Sequence, residues 1–304
     1  RDTIMAALPS YTGVLGRIWH YVFLLICALV FLFLVGPILV VIPLSFNAES
    51  FFTFTEGMLR GDPDAYSLKW YREIFGIYEA IRSARPDSQG SEWLDAAWNS
   101  FVIGTFATLL ATSLGTLAAI GLSRPHMPFR RLIMAFLISP LIVPIIITAA
   151  GMFLYYSKFH LAYTHLGLII AHAALGTPFV VITVTATLVG FDQSYIRASS
   201  SLGATPLRTF RKVILPMTFP GIVTGALFAF VTSLDEVVVI IFLGGEEQVT
   251  LPRLMWSGIR QEITLTILAV ATIMIMISVL LLYCVELLRR RNERLGVGTM
   301  AEQK

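Results

Sequence analysis

"YIRASSSLGATPLRTFRKVILP", Tyr195 to Pro216, is the stretch on which the reading of this chain turns. It carries Arg197, Arg208, Arg211 and Lys212 and no acid, and long apolar runs flank it on both sides. Its first part suits a short helix with Asp192 or Ser194 as N-cap, because a short polar side chain there satisfies an orphan backbone N–H. Gly203 is placed to end that helix in the left-handed conformation that costs glycine least. Thr205 can cap a second helix, with Pro206 at the first helical position, where its missing N–H is not needed. Leu207, Phe210, Val213 and Ile214 form an apolar stripe opposite the arginines, and Pro216 and Pro220 mark the return to the next apolar run. The expectation is a helix-turn-helix at a membrane surface. It presents either a docking element to a protein or a basic face to anionic headgroups.

Composition sets the surroundings. Of 304 residues, 56% are hydrophobic and 13% charged, against roughly 25% charged in soluble domains. Most of the chain therefore reads as membrane-embedded. A spanning helix needs about 20 apolar residues, and six runs qualify: 22–44, 98–121, 132–154, 166–189, 217–243 and 263–285. The first is too long for a signal-peptide core and lacks a small-x-small cleavage site behind it, so it reads as a retained span. Cys27 and Cys284 both fall in apolar runs, which excludes a disulfide framework and a CxxC metal site. The net charge of +3 is small, and no nucleic-acid partner is expected.

Charge position gives an orientation. With both termini inside, 14 of the 22 basic residues lie on inner segments, including Arg124, Arg130, Arg131, the four in the opening stretch and Arg289–Arg291. Such a bias marks the cytoplasmic side. The expected organisation is a lead-in over 1–21, a membrane domain over 22–290 and a tail over 291–304. Within the domain lie an outer loop, 45–97, and an inner loop, 190–216. In the outer loop, "SLKWYREIFGIYEAI" (67–81) has helical spacing of Leu68, Tyr71, Ile74, Phe75 and Tyr78 and reads as an interfacial helix. "SARPDSQGSEW" (83–93) reads as a flexible turn region. Prolines puncture several spans, and "SPLIVP" (139–144) reads as a bent element. Gly221 and Gly225 form a GxxxG, a face that lets another helix approach closely.

The chain offers little for enzyme chemistry. It has no GxxxxGKS/T phosphate loop, no HExxH and no GxSxG. His160 and His165 are badly spaced for a metal and read as interfacial. The exception to a clean membrane interior is Asp235-Glu236, about two-thirds of the way through the fifth run. A carboxylate at such depth costs at least ~2.5 kcal/mol and commonly faces a cavity on a solute pathway. The other reading places the pair near the outer interface, one acid capping a following helix or pairing with Arg253 or Arg260. On the pathway reading the two acids attract a cation, with Tyr155, Tyr156 and Trp256 as candidate aromatic partners.

The opening stretch resembles a known family. The pattern carried by Ala198, Leu202, Gly203, Ala204, Phe210, Val213, Leu215, Pro216, Pro220, Gly221 and Ile222 is similar to the EAA loop of permease subunits of ATP-binding-cassette (ABC) importers. Its place, inside and between the fourth and fifth of six spans, agrees. Arg197 stands where the family has Glu, and Ser199 where it has its second Ala. "TSLDEVVVIIFLGG" (232–245) and "TLPRLMWSGIR" (250–260) most resemble the second permease of spermidine/putrescine-type systems. The resemblance implies an all-α, six-span, N-in/C-in, type I importer permease in a bacterial inner membrane. It implies coupling to an ATPase through Arg197, Ala198, Leu202, Gly203, Ala204 and Phe210, and a substrate pathway at Asp235, Glu236 and Trp256. The implied partners are a second permease, two ATP-binding subunits that hold the ATP, a periplasmic binding protein and membrane lipid. The implied cargo is a polyamine or similar organic cation. The competing expectations are a self-contained secondary transporter or channel, or an ABC permease for an opine, quaternary amine or amino-acid derivative.

Overall fold

The computed structural model describes residues 13–75, 89–124, 127–189, 194–261 and 263–294. In chain order its helices are α1 (Val14–Leu44), α2 (Glu56–Arg60), α3 (Lys69–Ile74), α4 (Gln89–Leu122), α5 (Arg130–Ile138) and α6 (Ile145–Lys158). There follow α7 (His165–Val189), α8 (Ser194–Ser201), α9 (Pro206–Thr209), α10 (Leu215–Asp235), α11 (Val238–Leu243), α12 (Leu251–Gln261) and α13 (Leu265–Arg294). Among the described residues five helical stretches are long and apolar enough to cross a membrane, or six if α5 and α6, bent by 99° at the break between them, form one span.

Three boundaries differ from the sequence reading. The first span starts at Val14, so residues 14–21 are its first turns rather than a separate lead-in; nothing between them and Val22 breaks a helix. The third is not continuous over 132–154. It bends at the expected "SPLIVP", where Pro140 opens a single 3₁₀ turn and Pro144 caps α6. The fifth stops at Asp235, resumes at Val238, and leaves Glu236 extended. The expected turn region also yields in part: Gln89 to Trp93 belong to α4, while 83–88 lie outside the described residues.

The core is the trio α4, α7 and α10. The apolar window of α7 is 61% buried against 0% for α1, so α7 is the axis of the bundle and α1 its rim. Small residues make the trio possible. A Cβ on Gly115 would sit 2.7 Å from that of Val180, one on Gly176 2.9 Å from that of Ala229, and one on Gly225 2.8 Å from the Val180 Cα. Gly221 packs in the same way against Thr187. The GxxxG face is therefore the α7 contact of α10. Two threonines at the α7–α10 seam satisfy their own hydroxyls: Thr183 and Thr187 donate to Phe179 O and Thr183 O at 2.9 Å, which removes a desolvation cost inside the bilayer.

Alternating crossings give the bundle two ends. At one, Ser45 Oγ and Tyr71 OH are 2.7 Å apart, and Thr266 donates to Glu73 at 2.8 Å. Residues 45–75 fold onto that end: Trp70 Nε1 donates to Asn47 O at 2.9 Å, and the buried Asn47 holds Phe51 O and Thr53 O at 3.0 and 3.1 Å. The expected interfacial helix is reduced among the described residues to α3, and Ile74 is buried against Ala269 and Val270 of α13. It packs on protein because its Trp70, Tyr71 and Ile74 meet Trp93 and Leu251 there. The other end carries Arg124, α8 and α9.

Candidate functional site

At the basic end, α8 closes as the local residue types require. Gly203 has φ +75°, Gly203 N donates to Ser200 O at 3.0 Å, and Ala204 N donates to Ser199 O at 3.1 Å. This is a Schellman closure, which uses carbonyls the helix end leaves orphaned. Thr205 Oγ1 accepts from Arg208 N at 3.4 Å, and Pro206 occupies the first turn of α9. Ser199 and Thr209 hydroxyls meet at 2.8 Å and tie the two arms together; Ser199 is the position at which the family pattern has alanine.

The tip of the turn projects. Leu202 is 88% exposed, and Arg197 and Ala198 are exposed beside it on α8. The expected apolar stripe divides. Leu207 points outward, 58% exposed. Phe210 and Ile214 instead line a groove of about 650 Å³ together with Ala204, Ile196 and Leu188. The cause is a π-helical turn over Phe210–Ile214, whose wider register rotates the residues that follow it. The same turn carries the helix past Pro216, so 206–235 runs on as one helical stretch through the prolines that mark the return to the apolar run.

At the opposite end, the fifth crossing breaks at the two acids. Asp235 is the last residue of α10 and is exposed. Glu236 turns back, and its Oε1 accepts from Val239 N at 2.9 Å, capping α11. That is the capping role weighed for one of the two acids. Neither acid takes Arg253, whose Nη1 donates to Gly244 O and Gly245 O at 3.0 and 2.7 Å. Trp256 lines a cavity of about 410 Å³ with Arg253 and Arg260. Two guanidinium groups disfavour a cation there, and neither Asp235 nor Glu236 lines that cavity. Tyr156 belongs to the core beside Leu168 and Val239; Tyr155 packs on Phe159 with centroids 4.9 Å apart and rings tilted by 53°.

Sequence reading missed a second acidic group. Glu92 and Asp95 from the start of α4 share a cavity of about 530 Å³ with Glu246 and Glu247, and with Trp98 and Asn99. Asn99 sets its shape. Its Nδ2 donates to Glu247 O and Val249 O, each at 2.9 Å, and its Oδ1 meets His165 Nε2 at 3.1 Å. Arg253 is the one lysine or arginine on the wall, leaving four carboxylates against one guanidinium. His172, also unremarked in the sequence, is buried in α7 with Nδ1 at 2.7 Å from Ser233 Oγ. No group of His, Cys, Asp and Glu among the described residues could hold a metal ion.

Comparison with known proteins fits this architecture. Residues 111–294 match the family described as binding-protein-dependent transport system inner membrane component. The spermidine/putrescine transport system permease protein PotC of Haemophilus influenzae is 30% identical over 263 residues, covering 86% of this chain and 94% of that protein. The putrescine transport system permease protein PotI of Escherichia coli K12 is 32% identical over 272 residues, covering 84% of this chain and 85% of its own length. Among solved structures, a bacterial ABC transporter involved in the import of alginate, an acidic polysaccharide, superposes with TM-score 0.60. It is 16% identical and covers 90% of this chain and 97% of its own; at that identity the likeness shows the fold.

Proposed function

This chain belongs to the binding-protein-dependent transport system inner membrane components, and we propose that it is the permease subunit of an ATP-driven importer for polyamines or a similar small organic cation. The observation that carries the substrate class is the cavity where Glu92, Asp95, Glu246 and Glu247 surround Trp98. Carboxylates attract an ammonium, and an indole face accepts one as it loses water. The relatives PotC and PotI, named for spermidine and putrescine transport, support the same class.

In this reading the acidic end faces the periplasm, where a binding protein delivers the cation. Arg124, Arg208, Arg211 and Lys212 cluster at the other end, the side that the charge bias marks as cytoplasmic. The projecting turn at Leu202, Gly203 and Ala204, with Arg197 and Ala198 beside it and Phe210 behind it, docks on one of two ATP-binding subunits. A second permease completes the pathway, and ATP stays on the partners, since this chain has no phosphate loop. Asp235 supplies the carboxylate inside the pathway, while Glu236 is committed to its cap. The complex sits in a bacterial inner membrane and works by alternating access.

Orientation is tested by thiol labelling. After Cys27→Ala and Cys284→Ala, a thiol introduced by Asp64→Cys is expected to react with an impermeant reagent from the periplasm. One introduced by Ser200→Cys is expected to react only once the membrane is opened. The reverse pattern sinks the docking proposal.

Docking is tested at Gly203. No atom lies within 4 Å of a Cβ built there, so a side chain acts through the backbone alone. A left-handed β-branched residue costs roughly 1–2 kcal/mol. Gly203→Val should therefore lower co-purification of the ATP-binding subunit about tenfold, the effect of ~1.4 kcal/mol, with insertion unchanged. Gly203→Asn, which tolerates the conformation, should stay close to native. Stoichiometric ATPase on the valine variant contradicts the proposal.

A further inference from the structure

Nothing local explains why the fifth crossing breaks at Asp235. "TSLDEVVV", Thr232 to Val239, contains neither glycine nor proline, the residues that ordinarily end or kink a membrane helix. Valines 237–239 lower helix propensity by less than about 0.7 kcal/mol each, too little to stop a helix wherever it packs better unbroken. The break must be held from outside.

Both sides of it are held by α7. Before the break, His172 Nδ1 lies 2.7 Å from Ser233 Oγ, two residues short of Asp235. After it, Val239, Ile240 and Leu243 are fully buried in one cluster with Leu168, Ala171 and Leu175, which flank His172 along α7, and with Ala149 and Tyr156 of α6. Glu236 then satisfies the amide of Val239 in the first turn of α11. So α7 fastens the break by a polar bond on one side and, together with α6, by apolar packing on the other.

The polar fastening has a cost. His172 is 2% exposed, and its Nε2 is buried without a hydrogen-bond partner. An unsatisfied buried nitrogen costs about 1–3 kcal/mol, and an ionisable side chain inside a membrane bundle is itself costly. Packing alone would be met better by leucine, the residue at 168 and 175. What the imidazole adds and leucine lacks is the bond to Ser233.

We propose that His172 is a positioning residue: through Ser233 it fixes the last turn of α10 and thereby aims the Asp235 carboxylate into the solute pathway. This rests on the reading of Asp235 as a pathway group. His172 does not touch the solute. It sets where the helix stops and which way the residue at the stop points. Without the fastening, the last turn of α10 is free to unwind or to rotate, and either motion re-aims the side chain at position 235; successive helix positions point about 100° apart, so a slip of one residue suffices to turn it away.

The test uses the complete reconstituted transporter with Cys27→Ala, Cys284→Ala and Asp235→Cys in this chain. The reaction rate of an impermeant thiol reagent at position 235 is then measured. The thiol is expected to react, and added polyamine to protect it. Adding His172→Leu, which keeps bulk and removes the bond, should change the rate at least fivefold in either direction. His172→Asn, whose amide can still reach Ser233, should bring it back within twofold. Ser233→Ala removes the same bond from the other side with the loss of a single atom. It should reproduce the leucine result, which covers the case in which leucine impairs folding. If the thiol reacts but neither His172→Leu nor Ser233→Ala changes its rate, the positioning role is refuted while the pathway reading stands. A thiol that never reacts would show that position 235 faces no aqueous route, and both ideas fall.

Discussion

Gly225→Leu is expected to abolish accumulation of the folded chain in the membrane. A Cβ at this position lies 2.8 Å from the Val180 Cα and closer still to the Thr183 hydroxyl. Backbone cannot move aside as a flexible side chain can, so α7 and α10 must separate along their whole seam. That seam also carries Gly221 against Thr187 and Gly176 against Ala229. Overpacking a well-packed core costs 1–3 kcal/mol and sometimes more, and three further carbons at a helix crossing belong at or above the top of that range. Against a stability of about 5–15 kcal/mol, membrane levels should fall at least tenfold by quantitative immunoblot. The control is Gly121→Ala. No atom comes within 4 Å of a Cβ there, and alanine suits a helix better than glycine, so levels should not fall. Equal levels for Gly225→Leu and native would mean that the close α7–α10 approach is not what holds the bundle.

The second large effect is expected at the acidic cavity. The variant Glu92→Gln, Asp95→Asn, Glu246→Gln, Glu247→Gln keeps the shape of the wall and removes its charge. A carboxylate about 6 Å from an ammonium in a water-filled cavity contributes ~0.7 kcal/mol, so four contribute close to 3 kcal/mol. The KM for a diamine should rise on the order of a hundredfold, with the maximal rate less affected, because the cavity lies where the solute arrives. A longer polyamine with more ammonium groups should lose more than a diamine. Raising the salt concentration should narrow the difference between native and variant, since exposed charges are screened. An unchanged KM would remove the geometric reason for a cationic substrate.

How much of this was legible in the sequence depended on how far apart the cooperating residues lie. The helix pair was readable because its signals are local: a glycine for the left-handed stop, a threonine cap, a proline at the first helical position. Each appears in the structure in that role. The π turn after it was not readable, since no residue type demands one, and it redirected Phe210 and Ile214 inward. The bend at Pro140 and Pro144 was marked by its prolines. The break at Asp235 had no such mark, being held by a helix some sixty residues away in the chain. The acidic cavity was hidden for the same reason: Glu92 and Glu247 meet only because Asn99 reaches across 148 residues to the Glu247 carbonyl. His172 carried one sequence signal, an ionisable side chain within an apolar run, but nothing in the run pointed to Ser233. For Glu236 the sequence left a pathway role and a cap both open, because the apolar run shows no helix start at Val238; the cap on Val239 N appears only with the break.

The central claim, ATP-driven import of an organic cation, is tested most directly by transport in proteoliposomes. This chain is reconstituted with its second permease, its ATP-binding subunits and its binding protein, and uptake of radiolabelled spermidine or putrescine is followed. The expected result is accumulation that requires ATP, that unlabelled polyamines suppress and sulfate does not, and that the neutralised-cavity variant loses at low substrate concentration. Uptake that proceeds without the ATP-binding subunits, or a complete complex that imports an anionic or neutral solute and leaves polyamines outside, would contradict it.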